Sequence, residues 1–188
     1  MSDQVKIGVL ALQGNVREHT AMLRRLGAEV VEVRKPEQLD GLDGLVIPGG
    51  ESTTILKLAE LYGLDEALRH FEAPIFGTCA GMILVGRDHL GLADVSVLRN
   101  AYGRQVASFE ADLDLPGEEE PLRGVFIRAP WIETTGAGVE VIAEHEGRPV
   151  LARDGRILVA SFHPELTDDT RVHELFLEAV REAKSVRA

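Results

Sequence analysis

The stretch Pro74-Ile75-Phe76-Gly77-Thr78-Cys79-Ala80-Gly81-Met82-Ile83-Leu84-Val85 decides the fold and contains the first candidate functional residue. An apolar strand, a tight turn and an apolar helix follow one another here, and the only cysteine of the chain stands at the turn. Glycines two positions to either side of Cys79 allow the backbone to turn sharply, so that the sulfur projects from the sheet edge beside a helix N-terminus. Unpaired N–H groups at such a terminus favour a thiolate over a thiol. We therefore predict that Cys79 is a nucleophile, with a buried structural cysteine as the alternative.

A candidate base for this nucleophile follows the last apolar strand, in Ser161-Phe162-His163-Pro164-Glu165. Pro164 restricts His163 to extended geometry, and residues i and i+2 of an extended segment point to the same side. Glu165 is therefore expected to orient the His163 imidazole and to stabilise its charge while the ring faces Cys79. Nucleophile, base and orienting carboxylate together predict a catalytic triad, which is recognised by roles and not by sequence order.

Length, composition and charge restrict the class of protein. The 188 residues are 45% hydrophobic and carry a formal net charge of −11. We expect one globular domain spanning residues 1–188, with neither nucleic acid nor an anionic membrane as a partner. No apolar stretch reaches the length of a membrane span, and the start Met1-Ser2-Asp3-Gln4 lacks the basic and apolar parts of a signal sequence. A single cysteine permits no internal disulfide, so the expected compartment is the cytoplasm.

The remaining histidines offer no metal site. They have no metal-ligand spacing with one another or with Cys79: His19, His70, His89, His145 and His173. We interpret them as structural or surface residues, and we expect neither a metal nor a cofactor.

Strands and helices alternate in the first half of the chain. One helix is expected from Asn15, with Glu18 three residues later in the pattern of a capping box, to Gly27. Apolar strands are predicted at residues 5–12, 29–33, 44–47 and 74–77. Strands this apolar have no wet face, which indicates a parallel sheet covered by helices on both sides, with its sites at the carboxyl ends of the strands.

Beyond about residue 94 the segments become short and rich in β-formers, which predicts antiparallel additions at one side of the sheet: 94–98, 106–113, 124–127, 139–145 and 149–153. Asp154-Gly155 is typical of a hairpin turn, residues 157–162 form the last buried strand, and 168–184 form a closing helix with one apolar face. The predicted fold is α/β: a single three-layer domain with a mostly parallel central sheet flanked by helices, plus antiparallel β additions.

The cysteine elbow and His163-Pro164-Glu165 resemble the triad glutamine amidotransferases, whose glutaminase domains hydrolyse the side-chain amide of glutamine. Five longer strings in order resemble, over essentially the whole chain, the family of glutaminase subunits of pyridoxal 5′-phosphate synthase. They are Leu10-Ala11-Leu12-Gln13-Gly14-Asn15-Val16-Arg17-Glu18-His19, Pro48-Gly49-Gly50-Glu51-Ser52-Thr53-Thr54, Arg99-Asn100-Ala101-Tyr102-Gly103-Arg104-Gln105, Phe126-Ile127-Arg128-Ala129-Pro130 and Ser161-Phe162-His163-Pro164-Glu165-Leu166-Thr167. The resemblance implies a class I glutamine amidotransferase-like fold.

The resemblance also implies a mechanism and a set of substrate-binding positions. Cys79 attacks the glutamine carboxamide, His163 protonates the departing ammonia, and water hydrolyses the γ-glutamyl thioester that remains. The implied glutamine-binding positions are Gly50, Glu51, Ser52, Arg99, Ile127 and Arg128. Either arginine suits the α-carboxylate, because a guanidinium forms planar bidentate bonds, and the sequence leaves open which one contacts it.

Oxyanion donors are expected at two places in the backbone. The N–H of Ala80 follows the nucleophile directly, and a second N–H comes from Gly49 or Gly50. Because glycine lets a peptide plane turn at low steric cost, we predict that contact with a partner completes the oxyanion hole. The resemblance implies that this partner is a synthase subunit that makes pyridoxal 5′-phosphate and receives the ammonia, in a large ring-shaped complex, a dodecamer of heterodimers.

Two other functional classes stay open. A redox or stress-response protein of the same fold class would use Cys79 without Glu165, and it would leave the loop 48–54 and both arginines without a role. A non-catalytic subunit would bind glutamine as a regulator, which an intact triad disfavours. The short stretch from Val85 to Leu92 and Trp131, at a position where histidine is common, depart from the family pattern and concern the rim of the site.

Overall fold

A seven-stranded sheet forms the centre of the computed structural model, which describes residues 4–99 and 108–188. In spatial order its strands are β2 (Glu29–Val33), β1 (Lys6–Leu10), β3 (Gly44–Ile47), β4 (Ile75–Thr78), β11 (Ile157–Ala160), β10 (Arg148–Asp154) and β9 (Glu140–His145). The first five strands are parallel to one another, and β10 and β9 are antiparallel additions next to β11. This confirms the expected fold class.

Helices cover both faces of the sheet. On one face lie α2 (Ser52–Leu61), α3 (Leu64–Arg69) and α4 (Ala80–Val85), and on the other lie α1 (Val16–Arg25) and α5 (Arg171–Arg187). Successive side chains of a strand point to opposite faces of the sheet. Leu45 and Ile47 therefore belong to the core under α2, α3 and α4, and Val46 belongs to the core under α1 and α5. The expected two-sided burial is therefore confirmed, whereas α3 was not predicted.

Two small sheets lie beside the main one. They pair β5 (Val95–Leu98) with β8 (Trp131–Thr135), and β6 (Ser108–Leu113) with β7 (Leu122–Ile127), both antiparallel. The sequence did not predict β8. The string 100–105 and the start of the predicted segment 106–113 lie outside the described residues. Within 4–99 and 108–188, no helix has the length and apolarity that crossing a bilayer requires.

Candidate active site

Cys79 makes the sharp turn between β4 and α4 with its own backbone. Its φ of 51° and ψ of −105° lie in a region that non-glycine residues rarely occupy, and its N–H donates to Ala160 O at 2.8 Å. The flanking glycines were expected to allow the sharp turn, but they instead allow close packing of the backbone around it. A Cβ on Gly77 would lie 2.6 Å from Gly81 O, and one on Gly81 would collide with the carbonyl of Ile47. The elbow thus presents the sulfur at the carboxyl edge of the sheet.

The structure brings His163 and Glu165 together, although not by the expected geometry. His163 Nδ1 and Glu165 Oε1 are 2.6 Å apart, and the two residues are only 4% and 6% exposed. Pro164–Leu166 is a 3₁₀ turn, and His163 has φ −111° and ψ 84°. The expectation of an extended segment was therefore wrong: the tight turn after His163 carries the carboxylate back to the ring.

The two side chains stabilise each other's charged form. Burial by itself lowers the pKa of His163, but hydrogen bonds with Cys79 and Glu165 outweigh it and raise this pKa to about 10. Burial by itself raises the pKa of Glu165, but His19, His163 and Asn15 outweigh it and lower this pKa to about 2. At neutral pH the pair is therefore an imidazolium hydrogen-bonded to a carboxylate.

A cleft of about 420 Å³ opens in front of Cys79 and His163. Its walls include Ala80 and all six predicted glutamine-binding residues, namely Gly50, Glu51, Ser52, Arg99, Ile127 and Arg128. Asn15, Ile83 and Pro130 complete the lining. The volume is that of a small-molecule site.

Two arginines line this cleft and have few partners among the residues that the structure describes. Arg99 Nη1 lies 3.4 Å from Thr53 Oγ1. Arg128 has a left-handed backbone, with φ 44°, and its exposed side chain makes no hydrogen bond or ion pair with other residues that the structure describes. Ile127, the residue before it, places its carbonyl oxygen 4.0 Å from Cys79 Sγ. Both arginines can therefore bind a carboxylate in the cleft.

Gly49 lies against the triad, but its N–H is engaged elsewhere. A Cβ on Gly49 would lie 2.5 Å from His163 Cε1 and 3.2 Å from Cys79 Cβ, so no larger residue fits beside the imidazole. The N–H of Gly49 donates to Thr78 Oγ1 at 3.2 Å. In this conformation Gly49 is not an oxyanion donor, and its peptide must turn before it can become one. The assignment of the N–H groups of Ala80 and Gly50 stays a prediction.

Asn15 is a site residue that the sequence did not predict. It holds the N-cap position of α1, yet its side chain makes no capping hydrogen bond, so the expectation of a capping box was wrong. Its Nδ2 donates instead to Glu165 Oε1 at 3.0 Å. Its backbone N–H donates to Gly49 O at 3.0 Å, which ties the start of α1 to the Gly49 loop. The signal available in the sequence was its place at the carboxyl end of a parallel strand, among the other site residues.

Two of the remaining histidines are buried, which agrees with the expectation that they are structural or surface residues. His19 and His173 are both 0% exposed, so neither is a surface residue, and both belong to a polar cluster behind Glu165. In the part of the chain that the structure describes, no three His, Cys, Asp or Glu side chains are grouped to hold a metal ion. Trp131 is not part of the cleft lining, and the Arg148 guanidinium lies 3.2 Å from its ring centroid.

Comparison with known proteins agrees with this geometry. The model of the SNO glutamine amidotransferase family matches residues 9–182. The chain is 56% identical to the pyridoxal 5′-phosphate synthase subunit PdxT of Geobacillus kaustophilus over 190 residues, covering 96% of this chain and 97% of that protein. It is 52% identical to the PdxT of Streptomyces coelicolor over the full length of both.

Solved structures give the same result. A crystal structure described as a glutamine amidotransferase superposes with a TM-score of 0.87 at 50% identity, covering 93% of this chain and 98% of that one. A putative component of GMP synthase from Thermoplasma acidophilum superposes with a TM-score of 0.79 at 20% identity, covering 100% and 99%, and shows the likeness of fold alone.

Proposed function

Because the chain belongs to the SNO glutamine amidotransferase family, we propose that Cys79, His163 and Glu165 hydrolyse glutamine to supply ammonia to a pyridoxal 5′-phosphate synthase. The chain is a glutaminase, and its near-full-length likeness to PdxT proteins identifies the synthase to which it belongs. The observation that carries the residue assignment is the 2.6 Å contact between His163 and Glu165 in the same cleft as Cys79.

The reaction follows from the charge state of the pair. The Cys79 thiolate attacks the carboxamide carbon of glutamine and forms a tetrahedral oxyanion. This intermediate collapses as the His163 imidazolium gives its proton to the departing nitrogen, so ammonia leaves and a γ-glutamyl thioester remains on Cys79. The neutral His163 then takes a proton from water, the hydroxide attacks the thioester, and collapse of the second intermediate releases glutamate. The thiolate and the imidazolium are regenerated together.

The cleft provides the other requirements of this reaction. Arg99 and Arg128 line the cleft and suit the α-carboxylate of glutamine, and the exposed Glu51, also in the lining, suits its α-ammonium group. The Ala80 N–H, and a Gly49 or Gly50 N–H after the loop has turned, supply the oxyanion donors. Each such donor contributes about 3 kcal/mol to lowering the barrier.

The partner is a synthase subunit, and the interaction with it controls the glutaminase. In the present conformation the Gly49 N–H is held by Thr78, so the free chain lacks one candidate donor. Docking of the synthase partner turns the Gly49 loop and completes the oxyanion hole. We place the complex in the cytoplasm, as a ring-shaped dodecamer of heterodimers. The redox or stress-response alternative gives no role to Glu165, which is buried and hydrogen-bonded here.

The test combines turnover with covalent labelling. Glutamate release is measured for this chain by itself and in the presence of the synthase partner, and we expect strong activity only in the second case. A glutamine-mimicking electrophile should label Cys79, and Cys79→Ser should abolish both labelling and glutamate release. A label found by mass spectrometry on another residue, or turnover that survives in Cys79→Ala, contradicts the mechanism. Full activity without the partner contradicts only the control by docking.

A further inference from the structure

Behind the triad lies a buried polar cluster that the reaction as described does not use. It consists of His19 on α1, His173 on α5 and Thr78 at the end of β4, all three 0% exposed. His19 Nδ1 lies 2.9 Å from His173 Nε2, and His19 Nε2 lies 3.0 Å from Thr78 Oγ1. Buried polar groups of this kind require partners, so the direction of each hydrogen bond can be argued.

The second oxygen of Glu165 faces this cluster. Glu165 Oε1 accepts from both His163 and Asn15, whereas Oε2 is buried without a hydrogen-bond partner of good geometry. On that side His19 Nε2 lies 3.5 Å from it. An ionised oxygen without a hydrogen-bond partner in the interior destabilises the fold, so a donor directed at this oxygen stabilises the carboxylate.

The tautomer of His19 follows from its neighbours. Burial lowers the pKa of His19 and, together with His19, that of His173, so both rings are neutral at pH 7 and each carries one proton. A proton on His19 Nε2 points toward Thr78 Oγ1 and the Glu165 carboxylate. A proton on Nδ1 instead would direct the Nε2 lone pair at that carboxylate and leave His173 with a buried donor on Nδ1, which has no partner. Unpaired buried donors are rarer than unpaired acceptors.

Packing fixes the two rings in these orientations. Phe76 meets both edge-on, with ring centroids 6.2 Å from His19 and 5.6 Å from His173 and interplanar angles of 85° and 84°. Phe76 belongs to β4, the strand directly before Cys79, so both rings pack against the element that leads to the nucleophile.

We propose that His19 is a positioning residue for the triad. His173 Nε2–H donates to His19 Nδ1, and His19 Nε2–H is shared between Thr78 Oγ1 and Glu165 Oε2. His19 thereby fixes the carboxylate that orients His163. His19 also contacts the Thr78 hydroxyl, and that hydroxyl accepts the hydrogen bond from the Gly49 N–H. The triad and the oxyanion loop therefore rest on the same buried support. This inference rests on the proposed function and adds a residue that does not touch glutamine.

Three variants, assayed in the complex with the synthase partner, test the role. His19→Leu removes the Nε2–H, His19→Gln keeps an amide N–H the same number of bonds from the backbone, and Thr20→Val is the control. Thr20 is the neighbouring buried residue, and its hydroxyl has no hydrogen-bond partner. His19→Leu should lower kcat by about 10- to 100-fold, which is the loss seen when a residue that orients a metal ligand by a hydrogen bond is removed. KM for glutamine should stay unchanged, since His19 does not line the cleft.

The pH profile separates positioning from simple packing. The titratable groups that face His19 are Glu165, His163, His173 and Glu18. Without a donor, the Glu165 carboxylate takes up a proton more readily, so the acid limb of kcat/KM should move to higher pH in His19→Leu. His19→Gln should restore most of kcat and the position of that limb, and Thr20→Val should change neither. Equal losses in His19→Leu and His19→Gln, or an unchanged His19→Leu enzyme, overturn the proposal.

A measurement on the unmodified protein remains decisive if His19→Leu does not fold. In the 20.5 kDa chain with ¹⁵N-labelled histidine, NMR reports which ring nitrogen of His19 carries the proton. We expect Nε2–H at neutral pH, and Nδ1–H overturns the proposal. This readout needs no turnover. Failure of the proposed function, seen as absent glutamate release from the wild-type complex, is therefore distinguished from failure of this inference.

Discussion

The side-chain amide of Asn15 donates to Glu165 Oε1 at 3.0 Å, across 150 positions of sequence. One residue ends the turn after the first strand and the other follows the last strand, so the contact closes the site over the carboxyl edge of the sheet. Asn15 also lines the cleft. The orienting carboxylate is thus held from the substrate side by Asn15 and from the interior by the cluster around His19.

Asn15→Ala should lower kcat by about tenfold or more, because a hydrogen bond to a charged group contributes about 1.5–3 kcal/mol. Steady-state glutamate release in the presence of the synthase partner measures it. Asn15→Ser is the matched control, since serine is an equally good N-cap residue but its hydroxyl is too short to reach Glu165. Activity retained in Asn15→Ser would mean that helix α1, and not the triad, needs this residue.

His163→Asn and Glu165→Gln should differ in degree. Without the imidazole no group is left to move the proton, so His163→Asn should lose almost all activity. Glu165→Gln keeps the shape but not the charge, and we expect a residual rate about 10²- to 10⁴-fold below the wild type. Single-turnover labelling of Cys79 and steady-state turnover should both follow this order. Wild-type rates in either variant would contradict the assigned roles.

Gly49→Ala should abolish activity, because its Cβ would lie 2.5 Å from His163 Cε1 and force the ring away from Cys79. Gly138→Ala is the matched control, as a Cβ there meets only Asp154 Oδ1, at 4.0 Å. The measurement is glutamate release, accompanied by urea unfolding of both variants. An active Gly49→Ala enzyme would show that the loop is already displaced in the working complex.

Arg128→Gln should raise KM for glutamine by about 10- to 100-fold with a smaller effect on kcat, because a charge-assisted bond to the substrate carboxylate is lost. Arg123→Gln, on the neighbouring strand β7, is the control, since Arg123 pairs with the exposed Glu110 and Asp112 away from the cleft. Arg99→Gln completes the comparison. If only Arg99→Gln raises KM, Arg99 and not Arg128 binds the carboxylate.

The stability of the fold should vary with pH through the buried pair. The pKa of His163 is raised from 6.5 to about 10, so its contribution is complete below pH 6.5 and is lost as the pH rises toward 10. The pKa of Glu165 is lowered from 4.5 to about 2, so its contribution is present above pH 4.5 and is lost as the pH falls toward 2. Urea unfolding should therefore show a free energy of unfolding that declines between pH 6.5 and 10, and less steeply in His163→Asn.

Most of the fold could be predicted from apolar strands alternating with helices, because each strand buries both faces and its sequence shows it. Leu45, Val46 and Ile47 are a clear example, since all three are fully buried. Strand β8 was missed because its burial is uneven: Trp131 is partly exposed, and Glu133 and Thr134 are exposed. Its strand character comes from pairing with β5, which no local pattern specifies.

Site residues could be predicted where they stand in a short recognisable string of sequence, and not where they lie far apart along the chain. Cys79 and the pair His163 and Glu165 each stand in a recognisable string. Asn15 was misinterpreted because a capping box and a triad contact use the same residue type, and only the three-dimensional distance distinguishes them. His19 and His173 lie 154 positions apart, and isolated histidines carry no local signal of a shared hydrogen bond.

The position of β11 has a consequence for how the chain is made. This strand, the last in sequence, lies between β4 and β10 and is hydrogen-bonded to both, and the catalytic base follows it directly. A growing polypeptide on the ribosome can form β1 to β4 long before residue 163 is synthesised, and the thiol of Cys79 then has no imidazole beside it. The triad can therefore assemble only after Glu165 has been made and β11 has paired with β4. A fragment that ends before β11 contains Cys79 without its base and without the orienting carboxylate, and we expect it to lack glutaminase activity.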